Sequence, residues 1–494
     1  MSPASGPTPA SGPARTPDSA PAPAPRSAEF GNGAVSHWYR ECGLPAPGER
    51  LPGPRTADVC LVGAGYTGLW TAYYLKKAQP DLRIVVLEKE FAGFGASGRN
   101  GGWVVGEIAG SRERYARRHG REAAVALQRA MFATVDEVLR AARDEGIDAD
   151  LVKGGVLNTA RNAAQEARVR AAVAENREWG WSRDDMLLLS GREADERVGI
   201  AGQRAASFSP HCARVQPARL ARGLAATVRA LGVEIFEDTP VLRLVPRRDG
   251  RPAAAVTPYG TVTADHVIRA TEGFTARLAG HRRDWLPMNS SMIVTTPLPD
   301  AVWDAIGWRH GEVLGDMAHY YMYAQRTADG RIAFGGRGRP YRYGSGVDDA
   351  GVTRPETVDL LWRMLTDMFP AVAGEASVDH AWSGVLGVPR DWCSTAVVDH
   401  RTGLGHAGGY TGHGVAATNL AGRTLRDLVL RRDTELTALP WVDWRVRRWE
   451  PEPLRWLGVQ AMYALYRAAD AREAVGGSSR TSAIARVADA ITGH

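Results

Sequence analysis

Gly63, Gly65 and Gly68 stand in the spacing G-x-G-x-x-G, and Glu88 follows them. That set can hold a dinucleotide. Gly63 allows a tight turn, Gly65 lets a pyrophosphate approach the main chain, and Gly68 lets a helix pack closely on a strand. The acid stands where a ribose hydroxyl pair would be held. Ala64, Tyr66 and Thr67 between the glycines, and Lys89 beside the acid, belong to the same candidate site. These residues need a particular frame. The apolar run Val59–Val62 reads as a buried parallel strand, Leu69 to Leu75 as a helix, and Arg83–Leu87 as a second strand ending at Glu88. The helix would aim its positive N-terminus at the phosphates.

The stretch Gly93-Phe94-Gly95-Ala96-Ser97-Gly98-Arg99-Asn100-Gly101-Gly102-Trp103 follows almost at once. An NAD site needs no second small-residue loop here. A flavin site does, because the chain must run beside the diphosphate and the isoalloxazine ring without side-chain bulk. Gly95, Ala96, Ser97, Arg99, Asn100, Gly101 and Gly102 are therefore further candidates for cofactor binding. At these residues the chain resembles the D-amino-acid-oxidase-like superfamily of FAD-dependent amine and amino-acid oxidoreductases. G-A-S-G-R-N-G-G looks most like the branch that holds gamma-glutamylputrescine oxidase.

The resemblance continues along the chain. Val215–Leu220 opens a helix to Leu231, and Gly232–Phe236 and Thr239-Pro240-Val241 follow. They are similar to a helix–strand unit whose valine, here Val241, offers main-chain groups to adenine. Val267–Gly273, with Thr271, resembles the strand returning beneath the cofactor; Glu272 stands where the family often has Asn. Gly409-Tyr410-Thr411-Gly412-His413-Gly414-Val415 resembles the closing motif, whose helix N-terminus faces the pyrimidine edge of the flavin. Reduction builds negative charge there, and N–H donors with the helix dipole would stabilise it. The resemblance implies an α/β fold: a Rossmann-like FAD-binding domain of the glutathione-reductase type, an inserted α+β substrate domain of antiparallel sheet, and a helical C-terminal tail. The expected division is a disordered Pro/Ala-rich extension (1–33), the FAD-binding domain (34–111, 206–285 and 381–435), the substrate domain (112–205 and 286–380) and a helical extension (436–494).

Trp103 follows a Gly-Gly pair and is read as a neighbour of the ring, with core packing as the alternative. Tyr321 and Tyr323 share one side of a strand that could line the pocket or face the core. Arg337, after a Gly-Gly pair at a strand end, could hold a substrate carboxylate in a bidentate fork or lie in solvent. His413 could polarise the flavin or aid oxygen reduction; a helix-cap role is the alternative. Two departures from relatives matter. The sarcosine-oxidase branch attaches flavin through a cysteine, and matching on Asp391 that position falls near Gly384, so non-covalent FAD is expected. The same branch activates oxygen with a lysine, and this chain has none after Lys153.

The 494 residues carry a net charge of +6, 44% hydrophobic and 23% charged residues, ordinary values for a soluble globular chain. The basic residues are scattered, without an aromatic platform, so no nucleic-acid partner is expected. No run is long enough to span a membrane. Cys42, Cys60, Cys212 and Cys393 have neither metal-ligand spacing nor close pairing, so no metal is expected and a reducing, cytoplasmic setting fits. The expected activity is oxidation of an amine or amino acid to an imine that hydrolyses to a carbonyl, with oxygen as the expected acceptor or, in a dehydrogenase, another electron acceptor; sequence leaves the oligomeric state open. Two alternatives stand beside it. A flavin monooxygenase usually carries a late Gly-Asp where this chain has Gly408-Gly409-Tyr410, and a flavin-bound interaction protein could carry an idle redox site.

Overall fold

The computed structural model describes residues 30–336, 341–476, 478 and 480–485. The apolar run ending at Val62 becomes a central strand, because both its faces are covered. Val59 and Leu61, with Val86 beside them, are almost fully buried. Burying each such side chain contributes roughly 1.5–3 kcal/mol. The parallel strands Glu234–Phe236, Ile84–Leu87, Arg55–Val62, Gly260–Arg269 and Leu404–Gly408 lie side by side in that order. Helices Tyr66–Ala78 and Gly414–Val429 pack on one another beside this sheet. Their approach requires Gly422, where a Cβ would lie 2.8 Å from the main chain of Trp70. Helices Arg121–Asp144 and Pro217–Ala230 extend the same layer. The second of these starts where sequence chemistry says it should, with Pro217 at its first turn and the Gln216 side chain accepting from the Arg219 N–H.

Among the described residues, a second sheet runs in the order Gly31–Asn32, Val378–Val388, Leu286–Thr295, Ile332–Gly336, Met322–Arg326, Val313–Asp316, Val156–Ala160, Ala205–Ser209, Leu187–Ser190. It is antiparallel, as expected, except at two joins. Gly31–Asn32 pairs in parallel with Val378–Val388, and Val313–Asp316 with Val156–Ala160. Helix Pro355–Met368 packs against it through Leu361 and Leu365.

Three boundaries drawn from sequence shift. Gly31 and Asn32, placed in a disordered extension, pair with His380 and Ala381; residues 1–29 lie outside the described residues. The boundary at 381 falls inside Val378–Val388, which pairs along its length with Leu286–Thr295. Ala205–Ser209, mostly placed with the FAD-binding segments, pairs with Val156–Ala160. The tail carries helix Leu454–Gly476. Among the described residues no helix is long and apolar enough to cross a membrane.

Candidate functional site

A cavity of about 330 Å³ runs between the two sheets, from the glycine turn to the aromatic strand residues. At one end, Gly63 turns the chain with φ +108°, and a Cβ there would meet the Ala270 carbonyl at 2.7 Å. A Cβ on Gly68 would run into the Gly63 carbonyl, so the helix rests directly on the turn. Gly65 differs: its Cβ would meet only Ser97 Oγ, at 3.0 Å, and it lines the cavity. The Tyr66 N–H donates to Ser97 Oγ at 2.8 Å, tying the helix start to the small-residue loop.

Glu88 lines the cavity, and its carboxylate accepts from the Ala64 and Glu90 N–H groups at 2.8 and 3.0 Å. Burial pushes this carboxyl up to about 6, against the pull of those two N–H groups. Lys89, Val241 and Thr271 also line the cavity. The Thr239 N–H donates to the Glu88 carbonyl at 2.8 Å, and this brings Val241 beside the acid.

Gly95, Ala96, Ser97, Arg99, Asn100 and Gly101 run along the wall. The loop has little side chain of its own, and its shape is imposed from behind. Trp38 Nε1–H donates to the Asn100 carbonyl and Trp382 Nε1–H to the Arg99 carbonyl, each at 2.9 Å. Ser36 Oγ–H donates to the Gly98 carbonyl at 2.6 Å. Arg99 is a brace within this wall. Its guanidinium donates to the Phe94 and Asp349 carbonyls at 2.8 Å and lies over the Phe94 ring.

The closing motif supplies Tyr410, Gly412, His413, Gly414 and Val415. Tyr410 OH lies 3.1 Å from Thr67 Oγ1. His413 is the N-cap residue of helix Gly414–Val429, with Nδ1 3.3 Å from the Ile108 carbonyl and Nε2 3.7 Å from Glu107. Glu272 sits at φ +41°, and its Oε1 accepts from the Tyr410 N–H at 3.0 Å. Its Oε2 is buried with no hydrogen-bond partner, and burial pushes the carboxyl up to about 7.

At the far end Trp103 stands edge-on to Tyr323, ring centroids 6.2 Å apart. Trp103 Nε1 is buried without a partner. The Tyr323 hydroxyl lies 2.8 Å from Ser290 Oγ. A Cβ on Gly101 would strike the Tyr323 ring at 2.7 Å. Tyr321, Val385 and Leu386 complete this end.

Residues 58–428 match the family described as FAD dependent oxidoreductase (DAO). The chain belongs to the DAO family of FAD-dependent oxidoreductases. It is 30% identical over 408 residues to gamma-glutamylputrescine oxidoreductase of Escherichia coli (strain K12), covering 81% of this chain and 89% of that one. A probable oxidoreductase OrdL of Haemophilus influenzae is 27% identical over 389 residues, covering 77% and 84%. The fold matches the crystal structure of glycine oxidase from Geobacillus kaustophilus with a TM-score of 0.64 at 21% identity, over 79% of this chain and 99% of that one.

FAD is the cofactor of this DAO-family protein, and the cavity fits it. Gly65 is open where a diphosphate needs room, Glu88 presents carboxylate oxygens, and Gly95, Ala96, Ser97 and Gly101 keep their part of the loop wall free of bulk. Not every residue expected at the cofactor lines the cavity. Ala64 is buried with its N–H given to Glu88. Gly68 packs on the turn, Gly102 lies against Gln325 and the Val215 carbonyl, and Gly409 lies against Pro389. Thr411, at φ +53°, is not on the cavity wall. Arg337 lies outside the described residues. Sequence reasoning missed Phe94, Phe274, Arg277 and Ser290, all on the cavity wall. Phe94 was hidden by the glycines on either side of it, while Ser290 becomes visible only once its strand is paired.

Proposed function

We propose that this chain oxidises the C–N bond of an amine or amino acid. The substrate carbon gives up a hydride and its nitrogen a proton, and water converts the imine to a carbonyl compound and a free amine. FAD held along the glycine turn, Glu88 and the small-residue loop would supply the hydride acceptor, and oxygen is the proposed final acceptor of the two electrons. The single observation that carries the reading is the continuity of the cavity. The wall formed by the glycine turn and Glu88 opens directly onto Trp103, Tyr321 and Tyr323.

Each residue has a part in this reading. Glu88 would accept from the ribose hydroxyls, and Gly65 would leave room for the pyrophosphate. The N-terminus of helix Gly414–Val429 would stabilise negative charge at the cofactor. Trp103 and Tyr323 would exclude water and orient the substrate carbon. His413, with Glu107 beside it, would supply a proton during electron-acceptor reduction. FAD is proposed to be held without a covalent bond. No cysteine lines the cavity, and burial pushes the Cys393 thiol up to about 12. The free cysteines fit a cytoplasmic setting.

The test is stopped-flow flavin bleaching under nitrogen with matched amine, amino-acid, alcohol and hydroxy-acid panels. Bleaching by nitrogen compounds, faster as pH rises and frees the amine lone pair, is the expected result. Bleaching by alcohols or hydroxy acids with every amine silent would overturn it.

A further inference from the structure

Helix Leu454–Gly476 lies beyond residue 428, where the family match ends. Its inward face is built to hold loops rather than only to bury apolar area. Arg455 Nη1–H donates to the Arg282 carbonyl at 3.3 Å, and Gln460 Nε2–H donates to the Tyr341 carbonyl at 3.2 Å. Val459 and Tyr463 pack with Met288 and Val388. Leu386, which lines the cavity, packs against the same cluster.

The tightest grip is on residues 317–320. Asp470 accepts two successive main-chain N–H groups, from His319 at 2.9 Å and Tyr320 at 2.7 Å. Glu473 accepts from Arg168 at 2.7 Å and meets His319 Nε2 at 3.2 Å. Arg168 in turn donates twice to the Met317 carbonyl, at 2.9 and 2.7 Å. His319, Asp470 and Glu473 have the spacing of metal ligands, with ligand atoms within 4.8 Å of one another. The guanidinium of Arg168, in contact with both Glu473 and His319, already supplies the positive charge there. The cluster is a clamp. The residue that follows it is Tyr321, on the cavity wall, and strand Met322–Arg326 then carries Tyr323.

We propose that Asp470 is a positioning residue for substrate selection: by fixing the main chain at His319 and Tyr320, the C-terminal helix sets where Tyr321 stands and so which substrates the pocket admits. This rests on the amine-oxidoreductase reading of the same cavity. A carboxylate that holds two consecutive N–H groups fixes both the direction and the register of the chain between them. One residue further on, little freedom is left for the Tyr321 side chain to move with the loop. The device places a specificity determinant about 150 residues away in sequence from the side chain it controls, on a helix outside the family match.

The experiment uses the FAD-loaded full chain and the variants Asp470→Ala, Asp470→Asn, Tyr321→Ala and Asp470→Ala/Tyr321→Ala. Hydrogen exchange at the His319 and Tyr320 amides is read first, and needs no substrate. Asp470→Ala should exchange there about tenfold faster or more with unchanged FAD content, and Asp470→Asn, which keeps one acceptor oxygen, should fall between. The ratio of kcat/KM for a slender and a bulky reductant should then change about fivefold or more in Asp470→Ala, carried by KM, and Tyr321→Ala should abolish that effect. Unchanged exchange in Asp470→Ala overturns the proposal. So does a loss that is equal for both reductants, or one that adds fully to that of Tyr321→Ala. If no amine bleaches the wild-type flavin, the reading above fails separately, and the same ratio is taken on the class that does bleach it.

Discussion

Gly65→Val separates cofactor binding from folding. Gly65 is the N-cap of helix Tyr66–Ala78 at φ −80°, ψ −178°, a conformation valine adopts without strain. The new Cβ would meet Ser97 Oγ at 3.0 Å and otherwise face the cavity. The cost to the FAD-free protein is therefore small, about 1 kcal/mol for a poorer N-cap. The cost to the loaded protein is larger. A ligand present at a hundredfold above its Kd contributes about 2.7 kcal/mol of stability, and that whole term disappears if the branched side chain keeps the diphosphate out. Thermal melts with and without added FAD read both quantities. Wild type should melt roughly 3 °C higher with FAD, and the variant should show no such rise. Gly68→Ala is the control, because its Cβ strikes the Gly63 carbonyl. It should lower the melt of the FAD-free protein as well, by about 1–3 kcal/mol of stability. Gly65→Val purified with a full complement of flavin would refute the reasoning.

Trp38→Phe keeps an aromatic ring but removes the indole N–H that holds the Asn100 carbonyl; FAD affinity should fall about fivefold in a flavin titration, with the far-ultraviolet spectrum unchanged. Tyr323→Phe removes the hydroxyl facing Ser290 and should leave FAD content intact while lowering kcat/KM about fivefold to tenfold in the anaerobic bleaching assay. Glu272 binds its proton more tightly in the fold, at about 7, than at its ordinary value of 4.5. In the FAD-free protein Glu272 should therefore contribute a loss of up to about 3 kcal/mol of stability as pH rises from below 4.5 to above 7, and Glu272→Gln should make the slope shallower by that share in urea melts at several pH values.

The glycine turn was legible because its chemistry is local: turn, helix start and acid all lie within one strand–helix–strand unit. Tyr321 and Tyr323 both reach the cavity wall, although the strand begins at Met322 and alternation along it applies to Tyr323 alone. What escaped sequence reading is held by distant partners. Arg99, expected at the cofactor, lies on the cavity wall, but its guanidinium is held by the carbonyls of Phe94 and Asp349. Nothing near Trp38 or Trp382 indicates that their indole N–H groups shape residues 99 and 100, which lie 62 and 283 positions away. Val378–Val388 straddles a sequence boundary because its strand pairing, not its composition, assigns it to the larger sheet. The clamp on His319 is invisible until the tail helix is docked.

The small-residue loop is held at Asn100 by Trp38 and at Arg99 by Trp382, and helix Tyr66–Ala78 leans on Gly414–Val429. Nearly the whole polypeptide must therefore leave the ribosome before the nucleotide site has its shape. At a synthesis rate of about 5–20 residues per second, the glycine turn emerges many seconds before its last supports. During that interval the strand edges and the bare loop are exposed together, a period in which chaperones, rather than FAD, would keep the nascent chain from aggregating. Cofactor loading is then a late event in the life of the chain, acting on a completed mould.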